Sequence, residues 1–218
     1  MHRFIDLSHP IEDGMITYRG LPGPIISDHL SREVSAEHYA DGTTFQIGKI
    51  EMVANTGTYI DAPFHRFSKA GDLSDFELAA IAHLDGLVLH ADPQTRAIHQ
   101  DLFKDYDLSG KAVLVHTGWD QHWRTDHYFE DHPFLTRDAA EYLSASMVAL
   151  VGIDSLNIDD TEDGTRPVHT ILLGTGIPIV EHLCNLEALP ASRFKFFAVP
   201  APVKGMGSFP VRAFAMVD

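Results

Sequence analysis

Eight runs of β-branched and aromatic residues recur along the chain, and they constrain the fold more than any other feature of the sequence. Short apolar runs of this kind, bounded by turn residues, predict β-strands. The predicted strands are Phe4–Leu7, Thr44–Val53, Leu87–His90, Ala112–His116, Val148–Ile153, Ile177–Ile179, Phe194–Pro200 and Val211–Val217.

Three helix-like segments lie between these strands, at Leu73–His83, Thr136–Ser146 and Arg166–Leu173. Thr136 is suited to the N-cap of the second segment, and Gly174 is the expected C-cap of the third. Alternating strands and helices are typical of α/β folds. The last strands follow each other without a helix, which predicts a partly antiparallel, mixed sheet. No repeat or linker interrupts the pattern, so we expect one domain over residues 1–218.

The composition excludes several classes of function. With 16 basic and 31 acidic residues, the net charge of −15 repels phosphate backbones and anionic lipid, so we expect neither a nucleic-acid nor a membrane partner. The single cysteine, Cys184, excludes an intrachain disulfide. No apolar run is long enough to span a membrane and no signal-peptide core is present, which predicts a cytoplasmic protein. The 14 histidines favour a metal or acid–base site.

The densest cluster of chemically active residues is the segment NTGTYIDAPFH at positions 55–65. If this segment is extended, Asn55, Tyr59 and Asp61 share one side, and His65 lies slightly further on. A carboxylate and an imidazole so placed can bind a divalent metal or share a proton. The alternative interpretation is an Asp–His pair that only fixes a turn.

This segment resembles the motif of the metal-dependent cyclase family, which includes bacterial kynurenine formamidases and isatin hydrolases. The family pattern is His-x-Gly-Thr-His-x-Asp-x-Pro-x-His, of which Gly57, Thr58, Asp61, Pro63 and His65 match. The resemblance extends to DLSHP at 6–10, TGW at 117–119, HP at 132–133, VGIDSL at 151–156 and the proline-rich end from position 197. It implies an α/β fold, a swivelling β/β/α domain with a mixed sheet, and a homo-oligomer, either a dimer or a tetramer.

The resemblance also implies the roles of four residues. Asp61 corresponds to a bridging metal ligand and His65 to the general acid/base. His169 and Glu181 correspond to further metal ligands.

Two positions depart from the family pattern, because Asn55 and Tyr59 stand where the family has histidine ligands. An amide oxygen and a protonated phenol bind metal more weakly than imidazole does. The remaining oxygen-rich set favours manganese, magnesium or calcium over zinc, and a metal-free site is the alternative. In that case Tyr59 would donate a hydrogen bond to a developing oxyanion. Tyr18 and Trp119 are expected either at the substrate ring or in packing.

The leading hypothesis is a hydrolase that cleaves an amide, formamide or lactam of a small aromatic compound, like the arylformamidases of tryptophan catabolism. His65 would act as general base on water and then protonate the leaving amine. One alternative is a non-catalytic small-ligand-binding protein that has lost the family metal site. Another is a metal-independent acid–base enzyme that uses His65 and Tyr59.

Overall fold

The computed structural model describes residues 2–217 and is organised around a nine-stranded sheet, accompanied by two small two-stranded sheets. The strands are β1 (Arg3–Asp6), β2 (Ile25–Leu30), β3 (Ile47–Glu51), β4 (Tyr59–Asp61), β5 (Leu84–His90), β6 (Ala97–Ile98), β7 (Ala112–His116), β8 (Phe134–Leu135), β9 (Leu150–Ile153), β10 (Ile179–Glu181), β11 (Ser192–Phe197), β12 (Ser208–Pro210) and β13 (Phe214–Val217). The helices are α1 (Arg32–Ala36), α2 (Arg137–Ala145) and α3 (Pro167–Gly174).

The large sheet is mixed, as the sequence predicts. Its strand order is β1-β13-β11-β5-β7-β9-β10-β4-β12. The four central strands, β5, β7, β9 and β10, are parallel, and the strands on both flanks pair antiparallel. Side chains alternate between the faces of a strand. On β7, Val113 and Val115 therefore enter the core that contains α2 and α3, whereas Leu114 enters the core on the opposite face.

The predicted helix Leu73–His83 is wrong. Two separate 3₁₀ turns, Leu73–Asp75 and Leu78–Ala80, occupy this segment. The Asp72 carboxylate accepts a hydrogen bond from the backbone of the first turn, and Phe76 then adopts an extended conformation that ends it. Local side-chain-to-backbone hydrogen bonds compete here with a continuous helix.

The other two predicted helices are confirmed with changes at their ends. Thr136 is the N-cap of α2, but its hydroxyl donates to Asp138 at 2.6 Å and does not cap the backbone. The segment Arg166–Leu173 corresponds to α3, although Gly174 is its last helical residue and not the C-cap. The left-handed glycine of this turn is Gly176, whose φ is +80°.

Strands β2 and β3 form a separate antiparallel ribbon, which we call the arm. The sequence predicts β3 within Thr44–Val53 but does not predict β2. The arm carries exposed apolar side chains at Ile25, Ile26, Ile47 and Ile50. Ile26 is paired with Ile50, and Ile25 lies on the opposite face of the ribbon, so both faces of the arm carry exposed apolar side chains. Among residues 2–217, the search for a helix of the length and hydropathy needed to cross a bilayer finds none.

Candidate active site

Three neighbouring strands position the residues of the candidate site. Strand β4 lies between β10 and β12, and its register places Tyr59 opposite Glu181 and Asp61 opposite Ser208. Residues from the middle of the motif and from the last fifth of the chain therefore meet on one side of the sheet.

The motif is extended over only part of its length. Gly57 has a φ of +65°, so the chain turns between Asn55 and Tyr59 before β4 begins. A 3₁₀ turn at Pro63–His65 then brings His65 back beside Asp61. Gly207 packs directly on this turn, because a Cβ at position 207 would lie 2.5 Å from the His65 backbone.

Asp61, His65 and His169 form the candidate metal-binding group. One ligand atom from each lies within 4.8 Å of the other two. Asp61 is fully buried, and its Oδ2 has no hydrogen-bond partner within the described part of the chain. This oxygen lies 3.7 Å from His169 Nε2. A buried, unpartnered carboxylate oxygen is costly unless a cation lies nearby, so the donor set fits a divalent metal ion.

Asp159 fixes the orientation of His169. The His169 Nδ1 hydrogen donates to Asp159 Oδ2 at 2.6 Å, and the backbone N–H groups of Val168 and His169 donate to the same carboxylate at 2.7 and 3.0 Å. Burial alone would lower the pKa of His169, but the hydrogen bond with Asp159 and the nearby carboxylates of Asp61 and Glu181 raise this pKa to about 10. Nε2 is therefore directed at Asp61, and a bound cation would replace its proton.

Ser208 links Asp61 to His65. The Ser208 hydroxyl donates its single proton to Asp61 Oδ1 and lies 2.9 Å from His65 Nδ1. Since that proton is already donated, His65 Nδ1 carries the hydrogen of the second bond. His65 Nε2 then keeps a free lone pair, and the side chain is 36% exposed. The imidazole is thus arranged to accept a proton at Nε2.

Tyr59 and Glu181 form a buried pair next to this centre. The Tyr59 hydroxyl donates to Glu181 Oε2 at 2.5 Å, and the Ile158 N–H donates to Oε1 at 2.7 Å. Burial and the charges of Glu181 and Asp61 raise the pKa of Tyr59 well above its ordinary value, so the phenol stays protonated. Burial also raises the pKa of Glu181, to about 7. The hydrogen bond from Tyr59 therefore fixes the position of Glu181, which the family resemblance implies is a metal ligand.

A pocket of about 450 Å³ opens above these residues. It is lined by the predicted residues Tyr18, Asn55, Tyr59, His65, His169 and Glu181. Trp119 is not among the residues that line this pocket, so of its two expected roles the structure shows the packing one. The Trp119 indole N–H donates to the Tyr128 carbonyl at 3.0 Å, and its ring packs against His122 and His127.

Sequence reasoning missed several further residues of the site. Ser208 reaches the site through strand pairing alone, although Gly205 and Gly207, which precede it in the sequence, permit a close backbone approach. Four polar residues that also line the pocket belong to no motif, namely Arg19, Arg66, Arg166 and Asn157.

Comparison with known proteins identifies the family. A family model described as "Putative cyclase" matches residues 5–160. Kynurenine formamidase of Bacillus cereus is 27% identical over 212 residues, which cover 96% of this chain and 95% of the relative. The kynurenine formamidase of Geobacillus thermodenitrificans is 28% identical over 215 residues, covering 98% and 97%.

Solved structures confirm the predicted fold class. A potential metal-dependent hydrolase with cyclase activity superposes with a TM-score of 0.81 at 25% identity, covering 100% of this chain and 99% of that one. Isatin hydrolase A from Labrenzia aggregata, bound to benzyl benzoate, gives 0.85 at 20% identity, covering 99% and 94%. Fold and site together define an α/β protein with a candidate divalent-cation centre in an open pocket. The chain belongs to the cyclase family.

Proposed function

We propose that this chain hydrolyses the C–N bond of an amide, formamide or lactam of a small aromatic compound, and that residues 1–218 act as one catalytic domain. The observation that carries the proposal is His65, held by Ser208 with its Nε2 free, beside the buried pair of Asp61 and His169. Support comes from relatives named kynurenine formamidase and isatin hydrolase.

His65 acts as the general acid/base. Its Nε2 takes a proton from water as the water oxygen attacks the carbonyl carbon, and it returns that proton to the nitrogen as the C–N bond breaks. One positioned group of this type contributes about 10²–10⁴-fold to the rate. Ser208 and Asp61 keep the ring in the required tautomer throughout.

Asp61 Oδ2 and His169 Nε2 would hold a divalent cation, with the Glu181 carboxylate as a further ligand. A cation bound there supplies Lewis-acid polarisation of the carbonyl oxygen and lowers the pKa of a bound water. Asn55 adds a neutral oxygen where the family has an imidazole, so we propose manganese or magnesium in preference to zinc. Tyr59 keeps Glu181 in place by its hydrogen bond.

Tyr18 lies half-buried in the pocket wall and provides an aromatic surface for the substrate ring. We further propose a homo-oligomer, because the arm exposes an apolar surface that a second copy of the chain would cover. A cytoplasmic location is consistent with the single, buried, free cysteine Cys184.

The test combines elemental analysis of the purified protein with formate release from an aryl formamide, before and after chelation. We expect turnover that is lost on chelation and restored by manganese or magnesium. His65→Ala should lower kcat by about 10²-fold or more with an unchanged circular dichroism spectrum. His38→Ala, which changes an exposed histidine on the loop after α1, is the matched control and should turn over normally.

Near-normal turnover of His65→Ala would contradict the acid/base assignment. Activity that survives complete removal of metal would instead favour a metal-independent acid–base reaction. Binding of the formamide without formate release would favour a non-catalytic binding protein.

A further inference from the structure

Three arginines line the pocket, namely Arg19, Arg66 and Arg166, in a protein whose net charge is −15. The chain has only 16 basic residues in total, so this is a local concentration of positive charge. These arginines line the same pocket as the buried Glu181. We call Glu181 the acidic floor of the pocket and the three arginines its cationic rim.

The three arginines differ in how their charge is balanced. Arg19 lies 3.3 Å from Glu130 and 3.6 Å from Asp126. Arg66 donates to the neutral Thr170 hydroxyl at 3.2 Å, and Arg166 donates to a backbone carbonyl at 2.9 Å. Among residues 2–217, no carboxylate forms an ion pair with Arg66 or Arg166. These two guanidinium groups therefore retain both charge and donors for a ligand.

Both arginines are attached to the elements that carry the histidines of the centre. Arg66 directly follows His65 at the end of its 3₁₀ turn. Arg166 is the N-cap of α3, three residues before His169. A single substrate could therefore place its anionic group at these two arginines and its C–N bond at His65.

The aromatic wall lies beside this rim. Burial raises the pKa of the Tyr18 hydroxyl, and the neighbouring Arg166 guanidinium opposes that rise. A ring packed on Tyr18 would accordingly have a cationic group within reach of its substituents.

We infer that Arg66 and Arg166 bind a carboxylate on the substrate, so that the preferred substrate is an aryl formamide or amide that bears a carboxylate. The inference rests on the proposed function. The planar guanidinium matches a carboxylate through two parallel hydrogen bonds. A phosphate dianion is disfavoured, because the acidic floor and the strongly negative protein repel two charges more than one.

The experiment compares 2-formamidobenzoate with its methyl ester, which keeps the ring and the formamide but removes the charge. We expect wild type to prefer the acid by about 10-fold or more in kcat/KM, the range for charge-assisted hydrogen bonds. Arg66→Gln and Arg166→Gln should each reduce this acid-to-ester ratio by about 10-fold, mainly through KM. Arg66→Lys should recover part of the ratio, because it keeps the charge.

Arg124→Gln is the matched control. Arg124 is exposed, pairs with Glu12 at 2.7 Å and lies outside the pocket lining, so its acid-to-ester ratio should equal that of wild type. If Arg166→Gln fails to fold because α3 begins there, Arg66→Gln decides the question alone. Equal use of acid and ester by wild type, or an unchanged ratio in the Gln variants, would overturn the inference.

Calorimetric binding separates this inference from the proposed function. If neither compound is hydrolysed, the proposed function fails. The dissociation constants of the acid and the ester still test whether Arg66 and Arg166 bind the carboxylate. Tighter binding of the acid that weakens about 10-fold in Arg66→Gln would then support the carboxylate site. Equal binding of acid and ester would reject it.

Discussion

Replacing Asp159 with asparagine tests the support of His169 directly. The carboxylate is fully buried and accepts three hydrogen bonds, two at Oδ2 and one at Oδ1. An asparagine of the same size has only one accepting oxygen, and its NH₂ group would face the donor that the second oxygen now satisfies. At least one N–H is left without an acceptor, and His169 loses its charged partner.

The magnitude follows from these contacts. A hydrogen bond to a charged group contributes about 1.5–3 kcal/mol, and a buried donor left unsatisfied costs about 1–3 kcal/mol. We therefore expect the free energy of unfolding of Asp159→Asn to fall by about 3 kcal/mol. For a chain of 218 residues this corresponds to a Tm lower by roughly 6–12 °C. Metal affinity should fall by about 10–100-fold, as is usual when the partner of a ligating histidine is lost.

Urea and thermal unfolding of the metal-free protein measure the first effect, and calorimetric titration with manganese measures the second. Asp160→Asn is the matched control, since this neighbouring carboxylate is half-exposed and accepts one backbone hydrogen bond in its own loop. Its stability and metal affinity should stay close to those of wild type. An Asp159→Asn protein that unfolds at the wild-type temperature and binds manganese equally well would refute the reasoning.

Two further predictions concern metal choice and pH. The double variant Asn55→His with Tyr59→His should bind stoichiometric zinc, because both side chains line the pocket and two imidazoles complete the set of metal ligands. Calorimetric titration measures the zinc affinity, and a folded double variant without added zinc affinity would contradict the prediction. Burial lowers the pKa of His9 to about 4. Below pH 6.5 the unfolded chain therefore binds a proton that the folded chain does not, so the free energy of unfolding falls as the pH is lowered from 6.5 to 4. His9→Phe, which keeps a ring stacked on Trp123, should reduce the slope of this part of the stability profile and leave the contribution of the buried His182; an unchanged slope would contradict the prediction.

Strands β5, β7 and β9 could be predicted from the sequence because they are buried on both faces and read as apolar runs, whereas the predicted strand Ile177–Ile179 overlaps β10 only at Ile179. Val113 and Leu114 enter opposite cores, so no polar residue interrupts β7. Strand β2 was missed because all of its side chains are at least partly exposed and its sequence, IISDHL, contains no such run. The segment Leu73–His83 looks helical by spacing, but the local hydrogen bonds of Asp72 break it.

The candidate site was predictable to the extent that one local motif encodes it. Asp61 and His65 lie in that motif, and the resemblance added His169, which the structure brings to the same point. The contact of Ser208 with Asp61 depends on the register of β12 against β4, which no local pattern specifies. Trp119 lies in a segment that resembles the family, but such a resemblance does not decide whether a ring contacts substrate or packs against its neighbours.

The pairing of β4 with β12 has a consequence for the order of folding. Asp61 and Ser208 are 147 residues apart in the chain, and closing a loop of that length costs on the order of 4 kcal/mol of chain entropy. Within residues 2–217, β12 is an edge strand that pairs with β4, so its closure is compensated only after β4 has paired with β10. The hydroxyl that sets the His65 tautomer therefore arrives late, after the local turns and the parallel strands have formed. On refolding, the ability to hold a metal at Asp61 and His169 should precede hydrolysis, and full activity should return with the slowest phase of the chain.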